Sequence, residues 1–250
     1  MSAHYTMTVS PDFSPKFIPG WYIFNTWLQK QLGVSIHLEL FDSFNAQRQA
    51  IEDNRIDLIY ANPFDAAMLV REKGFQTVAS PAQMSDEAVI AVHRDSPIES
   101  VEAFNKPLSV AYTNDPVVNL ISAIMLEPAD ITTDDLQLIQ AKSYVLVAKQ
   151  ILQKNVEAGF FLKTAFDEFS SIIRDQLRVL IGSEIHVIRH ALLSGPRCAE
   201  RFDALLASLL GMADDEKGRA TLQSIDMQGW QRMTQEDTEY MIDLMDALQN

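Results

Sequence analysis

The chain has 250 residues, of which 47% are hydrophobic and 22% charged, with 20 Lys plus Arg against 34 Asp plus Glu. This length and hydrophobic content can bury a core in one large domain or two small ones, which excludes a disordered or fibrous chain. The net charge of −14 disfavours nucleic acid and anionic membranes as partners, because such binding needs clustered Lys and Arg. The single cysteine, Cys198, excludes an internal disulfide.

No apolar run long enough to span a bilayer is present, so no direct insertion into a membrane is predicted. The residues from Met1 to Tyr5 show neither the basic region nor the apolar core of an export signal. We therefore expect a periplasmic protein if an export signal was removed before this numbering begins, and a cytoplasmic one otherwise.

Short apolar strands alternate with capped helices in the first third of the chain. Pro19 opens a helix that ends before Gly33, Ser43 caps a second, and Asn62 caps a third that ends at Gly74, because these residue types favour helix starts and ends. Strands are predicted up to residue 9, at 36–40 and at 56–61.

The same alternation continues along the chain. Helix starts are predicted at the capping box of Ser96, at Asp115 before a proline, at Ser143 and at Thr164. Everything after Pro196 is predicted to be helical, with a last capping box at residues 234–237. Strands are predicted at 88–92, 108–112, 136–139, 158–162, 178–181 and 185–188.

Strands that alternate with helices of 10 to 15 residues are typical of parallel sheets covered by helices. About ten strands favour two small sheets over one large one. The sequence therefore predicts a two-lobed α/β protein, each lobe a mainly parallel sheet flanked by helices, with a ligand cleft between the lobes. Lobe 1 is predicted at residues 1–86 plus 190–250 and lobe 2 at 87–189, with crossovers near 87–94 and 184–190.

Catalytic and metal motifs are largely missing from the sequence. Neither a phosphate-binding glycine loop nor a nucleophile elbow nor a zinc-protease motif occurs. His186 and His190 share one face of a predicted strand, but no third metal ligand accompanies them, so no metal site is predicted. Cys198 lies at a predicted helix start, where a thiol can be acidified, yet a small buried cysteine is the favoured interpretation.

The remaining signal is a set of turns between strands and helices. In parallel sheets these turns share one edge, where unpaired N–H groups and the helix dipole favour ligand binding. The alternative interpretation is that each residue simply caps its own helix. The predicted ligand-binding residues are Ser10, Asp12, Phe41, Ser43, Tyr60, Asn62, Phe64, Tyr112, Thr113, Asn114, Asp115, Ser143 and Tyr144.

Several blocks of the sequence resemble the periplasmic substrate-binding proteins of phosphonate and phosphite ABC transporters. They are residues 8–11 (TVSP), 28–33 (LQKQLG), 51–60 (IEDNRIDLIY) followed by 62–64 (NPF), 89–104, 108–112 and the ending from 218 to 248. The resemblance covers most of the chain and implies the type II periplasmic-binding-protein fold. It also implies a small-molecule ligand and a partner that is an ABC permease.

One turn departs from that family's pattern. A Ser-Thr-Ser-Gly-like turn usually grips the oxyanion there, whereas this chain has Thr113-Asn114-Asp115-Pro116, which adds a carboxylate and removes an N–H. With Asp12 and Asp42 on other turns, a free phosphonate dianion would be repelled. We therefore expect a small organic ligand, zwitterionic or partly apolar, held among aromatic side chains, with an oxyanion as the alternative.

The expected function is that of a non-enzymatic solute-binding protein that closes its lobes by hinge motion and serves an importer or a sensory protein. No cofactor is expected. The main alternative is a cytoplasmic enzyme of the same fold, for which Asp12, Asp115 and Lys163 could act as acid or base. A third possibility is an interaction module whose cleft has degenerated.

Overall fold

The computed structural model describes the backbone of residues 4–249 and the side chains of residues 4–247. The chain divides into two compact units. Unit 1 contains the residues up to Met84 together with Arg189–Leu244, and unit 2 contains Ser85–Ile188 together with the residues from Met245 on. Each unit has its own sheet, flanking helices and buried core.

Eleven strands are formed among the described residues. They are β1 (His4–Val9), β2 (Ser35–Leu38), β3 (Leu58–Ala61), β4 (Gln76–Pro81), β5 (Ala88–His93), β6 (Leu108–Tyr112), β7 (Leu136–Gln140), β8 (Ala158–Leu162), β9 (Leu177–Gly182), β10 (Ala191–Ser194) and β11 (Trp230–Arg232).

Ten α-helices accompany these strands, with short 3-10 turns between some of them. The helices are α1 (Ile18–Leu32), α2 (Phe44–Glu52), α3 (Pro63–Lys73), α4 (Pro116–Leu126), α5 (Tyr144–Leu152), α6 (Lys163–Asp167), α7 (Ser171–Arg174), α8 (Phe202–Leu210), α9 (Glu216–Gln223) and α10 (Gln235–Gln249). No helix in the described part of the chain is both long and apolar enough to cross a membrane.

The sheet of unit 1 has six strands in the order β11-β4-β10-β3-β1-β2. β1 pairs in parallel with β2 and β3, as predicted for strands joined through helices. β10 is antiparallel to β3 and β4, and β11 is antiparallel to β4. The carboxyl ends of β1 and β3 therefore lie at the same edge of this sheet.

The sheet of unit 2 has five strands in the order β7-β6-β8-β5-β9. β6 is parallel to β7 and β8, whereas β5 is antiparallel to β8 and β9. β5 is the first strand of unit 2, and β10 is the first strand after the chain returns to unit 1. Each of them is antiparallel to both of its neighbours. The expected mainly parallel arrangement thus holds for most strand directions, but two strands of unit 1, β10 and β11, and one strand of unit 2, β5, run in the opposite direction.

Most predicted helix starts and ends are confirmed. Ser43, Asn62, Asp115 and Ser143 each accept a hydrogen bond from a backbone N–H in the first turn of the helix they cap. Gly33, with its φ of 64°, ends α1 in the left-handed conformation that glycine adopts without steric penalty. Gly74 ends α3 in the same way.

Some predicted elements are wrong. Residues 185–188 form no strand, because the N–H groups of Ile185 and His186 bind the carboxylate of Glu87 and are not available to a ladder. The capping box at Ser96 leads only into a 3-10 turn at Val101–Ala103. α6 begins at Lys163 without a side-chain cap, so Thr164 is not its cap.

Strands β4, β10 and β11 were not predicted by the alternation of polar and apolar residues. β4 is buried on both faces except at its first residue, although it contains Thr77 and Ser80. β10 is buried along its whole length and β11 has only three residues. A strand buried on both faces shows no alternation, and this explains the omission of β4 and β10.

Candidate functional site

Two residues meet at the edge of unit 1 where β1 and β3 end. Ser10 follows β1, and its backbone N–H donates to the carbonyl of Tyr60 in β3 at 2.7 Å. Asn62 follows β3, and its Nδ2 donates to the Oγ of Ser10 at 3.2 Å. Both side chains are fully buried. The parallel pairing of β1 with β3 is what brings these two predicted site residues together.

The side chain of Asn62 is also held by the first turn of α3. Its Oδ1 accepts from the backbone N–H of Asp65 at 3.0 Å, and its Nδ2 donates to the carboxylate of Asp65 at 2.6 Å. Asp65 is buried and binds Arg48 as well, at 2.6 Å. Asn62 is therefore engaged within the protein, so it shapes the edge without exposing its own amide.

Asp12 and His190 form a close hydrogen-bonded pair at the same edge. Asp12 Oδ2 lies 3.0 Å from His190 Nε2, and the two side chains are 13% and 16% exposed. Burial alone would raise the pKa of Asp12, but the charge of His190 and hydrogen bonds from His190, from Ser10 and from its own backbone outweigh it. The pKa of Asp12 is therefore below its ordinary value, and the side chain is a carboxylate at neutral pH.

Aromatic rings surround this pair in unit 1. The ring of Tyr60 stacks on that of His190, with 5.3 Å between centroids and 24° between planes. On its other sides Tyr60 packs against Trp21 at 5.0 Å and Trp230 at 6.0 Å. Because Tyr60 is fixed by these indole rings, the His190 ring has a rigid stacking partner.

The other predicted residues of unit 1 lie elsewhere on it. Phe41 lies under the guanidinium of Arg55, 6.0 Å from the ring centroid. Ser43 is exposed and caps α2 through the N–H of Ala46. Phe64 is half-buried in the first turn of α3. The structure thus brings Ser10, Asp12, Tyr60 and Asn62 together with His190 at one edge of the unit 1 sheet.

In unit 2 the corresponding turn follows β6 and precedes α4. Asp115 Oδ1 accepts from the N–H groups of Val117 and Val118 at 3.1 and 3.2 Å, and its Oδ2 accepts from the hydroxyl of Tyr144 at 2.8 Å. Thr113 is buried, and its Oγ1 accepts from the N–H of Asp115 at 3.4 Å. Asp115 is therefore used by the helix and by Tyr144.

The remaining predicted residues of unit 2 surround this turn. Tyr112 ends β6 and accepts from the N–H of Ala141 at 2.8 Å. Ser143 caps α5 and is exposed. Asn114 is exposed and lines an open depression of about 430 Å³ together with Gln140, Ala141 and Lys142. The turn is polar and accessible, and the exposed Lys142 places a positive charge beside it.

His186 and His190, the two histidines considered as metal ligands, each lie beside a different carboxylate. His186 Nδ1 lies 3.6 Å from Glu87, and His190 binds Asp12. Across the described residues, no group of three or more His, Cys, Asp or Glu side chains is arranged to hold a metal ion. Cys198 is buried, and burial, followed by the charge of Asp57, raises its pKa to about 12.

Sequence reasoning missed the part that His190 plays at this edge. It considered the histidine only in combination with His186, whereas its partner, Asp12, is 178 positions away along the chain. The antiparallel pairing of β10 with β3 brings the residue before β10 next to Tyr60. The sequence feature that could have indicated this role is that His190 directly precedes a strand, β10, at the predicted second crossover.

The sequence profile of one family matches residues 7–238; the family is described as "ABC transporter, phosphonate, periplasmic substrate-binding protein". The comparison with curated proteins gave no significant match. Among solved structures, PhnD1 from Prochlorococcus marinus in complex with methylphosphonate is similar with a TM-score of 0.82 and 12% identity, over 98% of each chain.

Two further structures are similar over most of their length. A binding protein component of a phosphonate ABC transporter from Pseudomonas aeruginosa has a TM-score of 0.79 and 13% identity, over 100% of this chain and 87% of that one. The aliphatic sulphonate binding protein SsuA from Escherichia coli has a TM-score of 0.67 and 14% identity, over 98% and 86%. These structures share the type II periplasmic-binding-protein fold. The profile match spans most of the sequence, and the chain belongs to the family of periplasmic substrate-binding proteins of phosphonate ABC transporters.

Proposed function

We propose that this protein captures a small organic ligand at the edge of unit 1 that carries Asp12 and His190, and delivers it to an ABC permease. The observation that carries the proposal is the Asp12–His190 pair stacked on Tyr60. The pair offers the Asp12 carboxylate as a charged hydrogen-bonding group next to the fixed ring of Tyr60. The buried side chains of Ser10 and Asn62 lie at the same edge. Such a combination suits a ligand with a polar end and an apolar or cationic body.

The ligand is proposed to be a zwitterion rather than a plain phosphonate. The first N–H groups of α4 are already occupied, since Val117 and Val118 donate to the Asp115 carboxylate and Asn119 donates to its carbonyl. Pro116 has no N–H to offer. An oxyanion at this helix start would find these N–H groups already occupied and would face the Asp115 carboxylate.

The anion repulsion expected at Asp12 is weaker than the sequence suggested. When His190 is protonated, the Asp12–His190 pair carries no net charge. Such a pair repels an anionic group of the ligand less than a free carboxylate would. This supports a ligand with both an anionic and a cationic or apolar end, and it keeps an oxyanion as the competing outcome of the test.

The two compact units are proposed to be the two lobes of the binding protein, which close around the ligand by hinge motion. The proposed location is the periplasm and the proposed partner a permease, with a sensory protein as the other possible recipient of the liganded form. Both follow from the family, whose members are periplasmic substrate-binding proteins.

Enzymatic activity is less well supported by the same residues. Ser10, Asp12 and His190 are the residue types of a catalytic triad, but His190 Nε2 binds Asp12, and the Ser10 hydroxyl oxygen accepts from Asn62. In a triad the histidine would accept from the serine hydroxyl and so activate it. The hydrogen bonds here instead favour a binding role.

The proposal is tested by calorimetric titration of the purified protein with methylphosphonate, phosphite, amino acids and trimethylammonium carboxylates. We expect binding of a zwitterion and at least about tenfold weaker binding of methylphosphonate, which corresponds to about 1.4 kcal/mol. Preferential binding of methylphosphonate or phosphite would reject the ligand class. An absence of any binding, with no rise in melting temperature across the panel, would favour an interaction module.

A further inference from the structure

Strand β7 lies at one edge of the unit 2 sheet, where β6 is its neighbour among the described strands. Its five residues are Leu-Gln-Leu-Ile-Gln, and the side chains of Leu138 and Ile139 are 48% and 39% exposed. An edge strand presents a row of backbone N–H and C=O groups, and an exposed apolar edge is a template for a further strand. β7 is therefore a candidate for pairing with another chain.

The other edge strands of the two sheets carry ionisable side chains. β2 contains His37, β9 contains Arg178 and β11 contains Arg232. Charged side chains commonly protect a sheet edge, because an added strand would have to bury them. β7 contains no ionisable side chain and no proline, and its register with β6 shows no bulge. Among the described edge strands, β7 is thus the least protected.

The pairing of β7 with β6 determines which backbone groups face the open edge. The two strands are parallel with Tyr112 opposite Gln140, and the N–H of Ala141 donates to the carbonyl of Tyr112 at 2.8 Å. In a strand, the N–H and C=O of one residue point to the same side, and successive residues alternate. The odd-numbered residues of β7 therefore face β6, as Ala141 does. The even-numbered residues, with Leu138 at the centre, face the open edge.

A second copy of β7 fits this edge in the antiparallel register that is centred on Leu138. In that register Leu138 lies opposite Leu138 of the second copy, and Leu136 lies opposite Gln140 of the second copy. These residues are all even-numbered, so the edge-facing N–H and C=O groups of the two strands can exchange hydrogen bonds along the whole strand. The arrangement has a two-fold axis at Leu138, and each contact away from the axis occurs twice.

Charges of opposite sign lie at the two ends of β7. Asp134 precedes the strand, Lys142 follows it, and both side chains are exposed. In the register centred on Leu138, Asp134 lies opposite Lys142 of the second copy, so an ion pair flanks the apolar centre at each end. A parallel arrangement would instead place acid beside acid and lysine beside lysine. The charges therefore favour antiparallel pairing, while salt screens the repulsion between the net charges of −14 beyond about 8 Å.

Apolar side chains beside β7 extend this contact. Ile139 is paired with Ala111 of β6, which belongs to the core cluster formed with the buried side of α5, so Ile139 lies on the α5 face of the sheet. On α5 itself, Val145 and Leu146 are 53% and 39% exposed. A two-fold axis perpendicular to the sheet keeps the α5 face on the same side in both copies. Burial of these side chains would add hydrophobic stabilisation to the backbone hydrogen bonds.

We infer that two copies of this protein associate through β7, which pairs antiparallel with β7 of the second copy and joins the two unit 2 sheets. The inference does not depend on the proposed ligand, because it uses residues of unit 2 alone. A strand of five residues gives a small interface, so the dimer should dissociate on dilution. The competing interpretations are that β7 stays solvated or receives a strand of a different protein.

Sedimentation velocity of the purified protein over a series of concentrations measures the association. We expect a reversible equilibrium between monomer and dimer. Leu138→Lys places two lysines opposite each other at the two-fold axis and should weaken the dimer at least about tenfold. Val179→Lys is the matched control, because Val179 is 41% exposed in β9, the other edge strand of the same sheet. It should leave the association unchanged.

Charge reversal at the two ends of β7 tests the register. Asp134→Lys and Lys142→Asp each place like charges opposite each other at both ends, so each variant alone should dimerise at least about tenfold more weakly than the wild type. The double variant restores opposite charges at both ends of an antiparallel pair and should recover the association. A mixture of the two single variants should form a heterodimer for the same reason.

A wild type that stays monomeric at all concentrations would overturn the inference and leave the edge to the competing interpretations. A dimer that Leu138→Lys leaves intact, or that Val179→Lys weakens equally, would place the interface elsewhere and also overturn it. Single charge variants that dimerise like the wild type, or a double variant that does not recover, would reject the register. If Leu138→Lys does not fold, the variants of the exposed Asp134 and Lys142 decide the matter.

Discussion

Asp12 in unit 1 and Asp115 in unit 2 are both acids in a turn between a strand and a helix, but the two units use them differently. Asp115 gives one oxygen to the N–H groups of α4 and the other to Tyr144. Asp12 instead binds a histidine stacked on an aromatic ring. The same residue type in the same kind of turn therefore serves a helix in one unit and presents a polar group in the other.

This contrast shows why an acidic turn is a poor guide to ligand charge. Counting Asp12 and Asp115 as two free carboxylates predicts that anions are repelled, but each already has its partners. What matters for the ligand is the charge that remains after these internal contacts. Experiments at four positions test which side chains serve only the folded structure, from the largest expected effect to the smallest.

The aromatic cluster of unit 2 should be purely structural, unlike that of unit 1. Phe161 is fully buried and contacts Tyr144, Phe166 and Phe169. Phe161→Ala should lower the free energy of unfolding by about 3–5 kcal/mol, because it leaves a cavity. Chemical denaturation measures this loss. A loss of less than about 1 kcal/mol would contradict a buried, structural role for this cluster.

Glu87 should make unit 2 sensitive to acid. Its carboxylate accepts from the hydroxyls of Ser85 and Ser183 and from the N–H groups of Ile185 and His186. Burial raises its pKa, but these bonds outweigh burial and lower it. With a folded pKa below the unfolded one, the stabilisation is present above the unfolded pKa and lost as pH falls through the folded pKa.

Glu87→Gln should therefore lower the free energy of unfolding at pH 7 by about 2–3 kcal/mol, as expected for hydrogen bonds to a charged group. The difference from the wild type should shrink as the pH is lowered. Denaturation at a series of pH values measures it. A difference that stays constant with pH would show that the charge of Glu87 contributes nothing.

Asp115→Ala should cost about 1 kcal/mol or somewhat more, because α4 loses its cap. Asp115→Asn keeps an acceptor oxygen for the N–H groups of Val117 and Val118 and is the matched control. It should retain most of the stability. Equal losses in the two variants, measured by thermal unfolding, would mean that the cap is not what Asp115 supplies.

Cys198 gives the smallest expected effect. Its pKa of about 12 means that almost no thiolate exists at pH 8, and the side chain is buried. Folded protein should not react with iodoacetamide at that pH within hours, whereas protein unfolded in urea should react. Mass spectrometry measures the modification. Rapid labelling of the folded protein would show that the thiol is exposed by local opening.

Local sequence signals predicted the helix caps well, whereas the contacts at the edge of unit 1 could be predicted only in part. Ser43, Asn62, Asp115 and Ser143 are caps whose partners lie two or three residues away, so a short pattern is enough to find them. The family was also predicted, since its blocks are contiguous in the sequence and the profile match confirms it.

Features that depend on distant parts of the chain were missed. The pairing of Asp12 with His190 depends on β10 joining the sheet next to β3, which no local pattern predicts. Residues 185–188 resemble a strand by composition, but Glu87, almost 100 positions earlier, takes their N–H groups. Strand β4 was not predicted, because burial on both faces removes the alternation of polar and apolar residues on which strand prediction relies.

The central claim is that the edge of unit 1 with Asp12 and His190 binds the ligand. Its most direct test is calorimetry on the wild type, His190→Gln and Asp115→Asn with a zwitterion from the panel. We predict about tenfold weaker binding for His190→Gln and less than about twofold for Asp115→Asn. Wild-type affinity in His190→Gln, combined with a large loss in Asp115→Asn, would contradict the claim and move the site to the turn before α4.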